Sequence, residues 1–273
     1  MAFKRSAYAF IKTAIAASAF LWATVAAQAE IATFATFSSI EQTKNVSLVN
    51  LGVGETNRAA LYSTRTDVAD QFGSVQVRFN FLQSGLSDFV TNVVADFSLN
   101  GVITQPSLSQ SSYVYQPLLI GTMSFISTTD ITLTGRLFET KTFAAGANLL
   151  TVDFNGVISG PLMGSTATFE GSTGASNTVA FTSDFLDFSN VNEMDYAATL
   201  SAITPRLTLG TNGSLNSFRA SIGGSFSSDP APVLVGTIPE PAGWALMITG
   251  FMMLGVAIRQ GRRNGSSITI TKP

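Results

Sequence analysis

Four carboxylates crowd one short stretch. Asp184, Asp187, Glu193 and Asp195 lie in Thr182-Ser-Asp-Phe-Leu-Asp-Phe-Ser-Asn-Val-Asn-Glu-Met-Asp195. Carboxylate oxygens suit a hard cation such as calcium. The spacing matches no EF-hand, however, and there is no Asp-x-Asp-x-Asp-Gly. The same residues also read as solvent-facing acids on a strand whose Phe181, Phe185 and Phe188 pack inward. A metal site is therefore not expected, nor is any cofactor. Glycoside hydrolysis needs only two carboxylates, but nothing singles out a pair. The chain has no His and no Cys. A Ser-His-Asp triad, a thiolate nucleophile and Cys- or His-ligated metals are thereby excluded. No Gly-x-Ser-x-Gly elbow occurs, and neither Lys44 nor Lys141 stands in a Ser-x-x-Lys. No catalytic residue is predicted.

Two further patterns suit binding. Tyr113 and Tyr115, in Ser111-Ser-Tyr-Val-Tyr-Gln-Pro117, are two apart. On a strand they share a face, where they would form a stacking platform for a glycan or an ordinary tyrosine pair at a sheet edge. Thr132 and Thr134 have the same spacing, but one pair is not the array that a flat lattice requires.

The elements that must position these residues read as strands. Val75-Gln-Val-Arg-Phe-Asn-Phe81 alternates strictly, with Val75, Val77, Phe79 and Phe81 on one face. Similar runs cover 93–99, 131–138, 149–154, 166–169, 179–188, 196–203, 206–209 and 215–226. Asn100-Gly101, Asn155-Gly156 and Asn212-Gly213 read as hairpin turns. A helix fits weakly at 86–94. About ten short strands separated by such turns predict an all-β fold, an antiparallel β-sandwich of jelly-roll-like form. The body spans 30–226, and the Gly-, Ser- and Pro-rich 227–238 reads as a linker.

Charge is uneven. Between Glu30 and Ile238 there are eight Lys/Arg against sixteen Asp/Glu, a balance near −8. An acidic body without a basic stripe argues against nucleic acid as a partner.

Both ends read as signals. Lys4, Arg5 and Lys12 precede an apolar run that closes on Ala27-Gln28-Ala29. This is the layout of a secretory signal peptide, residues 1–29, with an N-terminal signal helix and cleavage between Ala29 and Glu30 by Sec-type export machinery. Near the other end Pro239-Glu240-Pro241 is followed by seventeen uncharged residues, 242–258, and then by Arg259, Arg262 and Arg263. Seventeen residues make a helix of roughly 25 Å, at the short end for a single C-terminal transmembrane span. Trp244 sits at its interfacial end, and the arginines hold residues 264–273 cytoplasmic as a short tail, which leaves the body periplasmic.

Taken together, Pro239-Glu240-Pro241, Trp244-Ala245, Gly250-Phe251 and Arg262-Arg263 resemble the PEP-CTERM sorting signal of Gram-negative bacteria, in its Pro-Glu-Pro-x-x-Trp-Ala variant. The resemblance covers 239–263. It departs from the usual pattern in the ten residues that follow the basic cluster. It implies recognition of Pro-Glu-Pro by a membrane-embedded exosortase, removal of the helix, and passage from the inner membrane to the cell surface or extracellular matrix. The expected protein is thus an exported, sorted, non-enzymatic surface or matrix protein. One alternative is a carbohydrate-binding module that meets exopolysaccharide through Tyr113 and Tyr115, and another is a carboxylate-pair glycoside hydrolase.

Overall fold

Alternation of buried and exposed side chains runs the length of β5 (Val93–Ile103), where Ala95, Phe97, Leu99, Gly101 and Ile103 point inward. It recurs in β4 (Val75–Phe81), with Val77, Phe79 and Phe81 buried and Gln76 and Arg78 exposed. A sheet with this period must cover one face and wet the other. The structure, a computed structural model, describes residues 31–40, 44–64, 72–134, 140–174, 178–232 and 248–253. The remaining strands are β1 (Ala32–Ser39), β2 (Val46–Asn50), β3 (Ala59–Ser63), β6 (Leu108–Gln110), β7 (Tyr113–Ser127), β8 (Ile131–Thr134), β9 (Thr140–Phe143), β10 (Asn148–Pro161), β11 (Ala167–Ser172), β12 (Val179–Thr182), β13 (Leu186–Asp187), β14 (Asp195–Thr204), β15 (Phe218–Ser228) and β16 (Ala231–Pro232).

The all-β expectation holds, but the connectivity is not that of a jelly-roll sandwich. β5 pairs with β4 through its first half and with β3 through its second, all on one edge, while its other edge pairs with β7. β15 likewise takes β1 and β2 in succession on one edge and β14 on the other. β10 takes β11 and β12 on the edge opposite β7. β1 and β2 are therefore two pieces of one stave, as are β3 and β4, and β11 and β12. Eight staves result, each antiparallel to its sequence neighbours, and the β1–β15 ladder closes the ring. This is an up-and-down barrel. The breaks between Ser39 and Val46, Ser63 and Val75, and Ser172 and Val179 are interruptions within continuing staves, and the strands before Val75 carry no signal that the sequence reading used.

Two turn readings are corrected. Asn100-Gly101 lies inside β5 and Asn155-Gly156 inside β10. Neither glycine has positive φ; each instead stands where neighbouring side chains approach closely. A Cβ on Gly101 would stand 2.9 Å from Leu119 Cδ1. Asn212-Gly213 is a true turn, with Gly213 at φ 77°. Residues 84–92 form turns, not a helix, and 93–94 already belong to β5. Residues 206–209 contribute only a bridge from Leu209 to Leu215.

Where a stave is interrupted, side chains stand in for missing backbone partners. Ser63 Oγ accepts from the Leu99 N–H at 3.0 Å and donates to Gly73 O at 2.7 Å. Asn45 Oδ1 accepts from the Ile222 N–H at 2.9 Å. Both residues are buried, where an unpaired N–H is costly.

Eight staves enclose an interior just wide enough for side chains to fill, and here phenylalanines fill it. Phe125 packs against Phe37, Phe79, Phe97 and Phe226 with ring centroids 4.8, 5.2, 5.1 and 5.5 Å away. Phe34 continues the stack to Phe181 and Phe188. Edge-on and tilted contacts of this kind add to simple burial.

Register sorts the connections into two rims. Ala32 pairs with Ser228, Phe79 with Val93, Ala95 with Ser127 and Thr151 with Thr182. The first rim therefore carries both ends of the barrel chain, the 82–92 turn, the β8–β9 hairpin and the 183–194 segment. The opposite rim carries residues 51–58, 104–112, 162–166 and 205–217. At the first rim the chain stays attached beyond β15. Gln83 Nε2 donates to Pro230 O at 2.6 Å, and Ala231 and Pro232 pair with Asp187 and Leu186. The stretch read as a linker from 227 is thus held to the barrel as far as 232.

Of the predicted C-terminal span, 248–253 are described; they are helical with exposed side chains. Among the described residues no helix is long and apolar enough to cross a membrane. The signal-peptide residues Ala27, Ala29 and Glu30, and Pro239, Glu240, Pro241, Trp244, Ala245, Arg262 and Arg263, lie outside the described residues.

Candidate functional site

Two of the carboxylates of the 184–195 stretch are spent on the backbone. Asp184 Oδ2 accepts from the Asn148 N–H at 2.7 Å. Asp187 Oδ1 accepts from the Ser189 N–H at 2.9 Å, and that bond holds its carboxyl below the usual carboxylate range. Asp195 stands on β14, opposite Ser172 and Ser227. No cluster of three potential metal ligands occurs among the described residues. No Asp or Glu is buried among them either, so no pair of enclosed carboxylates is formed there.

Tyr113 and Tyr115 are brought together as their spacing suggests. Both face outward from β7, 49% and 42% exposed, while Val114 and Gln116 between and after them are buried. A bulge fixes this phase. Leu118 has φ 54°, and the β7–β10 register shifts between Gly156 and Ile158. Beyond the bulge it is Leu119, Met123 and Phe125 that point inward. Such bulges re-aim side chains; without this one the strand's inward phase would turn the tyrosines into the barrel.

Gln116 anchors the neighbouring strand. Its Oε1 accepts from Ser107 Oγ at 2.6 Å, and its Nε2 donates to Gln105 O at 2.8 Å. These bonds lay β6 beside the start of β7, with Leu108 opposite Tyr115 and Gln110 opposite Tyr113. Leu108 is 63% exposed, so the tyrosines and the leucine share one outer surface at the rim opposite the chain ends. Sequence reading missed Leu108 and Gln110, because three residues of no marked periodicity gave no strand signal.

Two open hollows flank this surface. One is lined by Leu108, Ser109, Gln110, Ser111, Tyr113 and Tyr115. The other is lined by Tyr115, Glu170, Ser172, Asp195 and Ala197 with Val157 at its floor. Tyr115 stands in the wall of both. Thr132 and Thr134 lie elsewhere, on the β8–β9 hairpin, opposite Thr142 and Thr140.

No family model matches this chain, and no curated protein or solved structure is detectably similar to it.

Proposed function

We propose that this chain is an exported, non-catalytic β-barrel, tethered by its C-terminal segment and delivered to the cell surface or extracellular matrix through Pro239-Glu240-Pro241. The partners on this reading are the Sec-type export machinery, a membrane, and an exosortase-type processing enzyme. One observation supports it above the others: both ends of the barrel chain leave from a single rim. Ala32 and Ser228 are paired, and the tail remains attached through Pro232. Only residues 233–238 separate that attachment from Pro239, a reach of at most roughly 25 Å. On this reading so short a tether would hold Pro239-Glu240-Pro241 near the membrane surface, within reach of an enzyme embedded there.

The test is Glu240→Ala, followed by fractionation. The variant is expected to be exported and then retained at full length in the inner membrane. Normal processing and release of the variant would overturn the sorting role.

A further inference from the structure

The outward tyrosine surface lies at the rim farthest from the tether and takes no part in the sorting reading. We propose that Tyr113 and Tyr115, with Leu108 and Gln110 beside them and Glu170 and Asp195 across the second hollow, form a binding groove for a neutral polysaccharide. The case is independent of the tail. Two rings two residues apart on a strand stand about 7 Å from each other along the chain. Each offers a flat apolar face with a polar tip, the combination that takes the C–H face of a sugar ring while leaving its hydroxyls to polar neighbours. Both rings are substantially exposed, and the Leu108 side chain opposite Tyr115 extends the apolar strip sideways.

The surroundings narrow the ligand. The first hollow is lined by Ser109, Gln110 and Ser111, which can both donate and accept hydrogen bonds. The second is lined by Glu170 and Asp195, whose carboxylate oxygens accept hydrogen bonds. Sugar hydroxyls can donate to those acceptors. An anionic chain has such hydroxyls too, but its own carboxylates or sulfates would be repelled by these two acids and by a body whose charge balance is near −8. The charge therefore favours a neutral glycan over a uronate- or sulfate-bearing one. Because Tyr115 stands in the wall of both hollows, a ligand seated on it runs from one into the other. That favours a chain over a single sugar.

The test is affinity electrophoresis of the full chain in gels containing hydroxyethylcellulose or glucomannan, with alginate as the anionic comparison. The expected result is retardation by a neutral polymer and none by alginate. Tyr113→Ala with Tyr115→Ala should weaken the retardation by roughly tenfold or more, whereas Tyr115→Phe should keep it. Both positions are exposed, so circular dichroism should show an unchanged fold. Ile120→Ala, an exposed apolar change further along β7, should bind as the parent does. The proposal is overturned by an absence of retardation in both neutral polymers, by equal retardation of the double variant, or by stronger retardation in alginate.

Discussion

The hydroxyl of Tyr196 occupies the place where a side chain on Gly156 would begin: a Cβ built there would lie 1.9 Å from Tyr196 Oη. The ring crosses Gly171 on the way, since Tyr196 pairs with Gly171 and its Cε1 would lie 2.6 Å from a Cβ on that residue. Two glycines in adjacent staves thus make room for one buried tyrosine, which packs edge-on to Phe169. The hydroxyl itself is buried without a hydrogen-bond partner.

Gly156→Ala should therefore destabilise the barrel by about 1–3 kcal/mol, the usual cost of overpacking. Tyr196→Phe should be neutral or stabilising by up to about 1 kcal/mol, because it removes an unpaired buried group. The double variant should recover part of the Gly156→Ala loss. It should not recover all of it, since Glu170 O would still lie 2.8 Å from the new Cβ. Urea unfolding of the three variants checks this, and strict additivity would show that the two residues do not compete for the same space.

The same hydroxyl sets an alkaline limit. Burial, with the Glu170 charge second, pushes the Tyr196 phenol far above its ordinary range. In the unfolded chain a tyrosine ionises near about pH 10, and there only the unfolded state releases this proton. Stability from this group should be constant below about pH 9 and fall as pH rises past 10. Tyr196→Phe should show the shallower decline between pH 8 and 11. Superimposable pH profiles for the two proteins would contradict the assignment.

Ser63 and Asn45 repair gaps in the ladder. Ser63→Ala leaves the Leu99 N–H unpaired, and Asn45→Ala does the same to Ile222. Each should cost about 1–3 kcal/mol. Amide hydrogen exchange should accelerate selectively at Leu99 in the first variant and at Ile222 in the second. Uniform acceleration across the barrel would instead indicate general loosening.

The period-2 pattern of β4 was legible because it is a local property of seven residues. The outward tyrosine pair was legible for the same reason, since side-chain direction follows from spacing alone. Ring closure was not. Nothing near Ser63 or Val75 in sequence says that the two resume one stave, because that continuity is fixed by β5 and β1, which lie elsewhere in the chain. Asn-Gly misled twice for a related reason. Glycine serves both positive φ and close packing, and only the Tyr196 and Leu119 side chains, distant in sequence, show which applies at Gly156 and Gly101. Leu108 became part of a surface only through Gln116, a buried amide whose partners sequence does not reveal.

The rung that joins Thr33 to Ser227 spans 194 residues, and it sets a timetable. Every other stave can find its neighbour soon after that neighbour is made, because the meander pairs consecutive segments. β1 has β4 on one side early, but its second edge must wait for the last long strand. A chain threaded through a Sec-type channel would meet the same order on the far side, with Phe34 and Phe37 at the open margin of the sheet until β15 arrives. β15 is also the strand that carries the tail, so the ring closes just ahead of the segment that leads to Pro239.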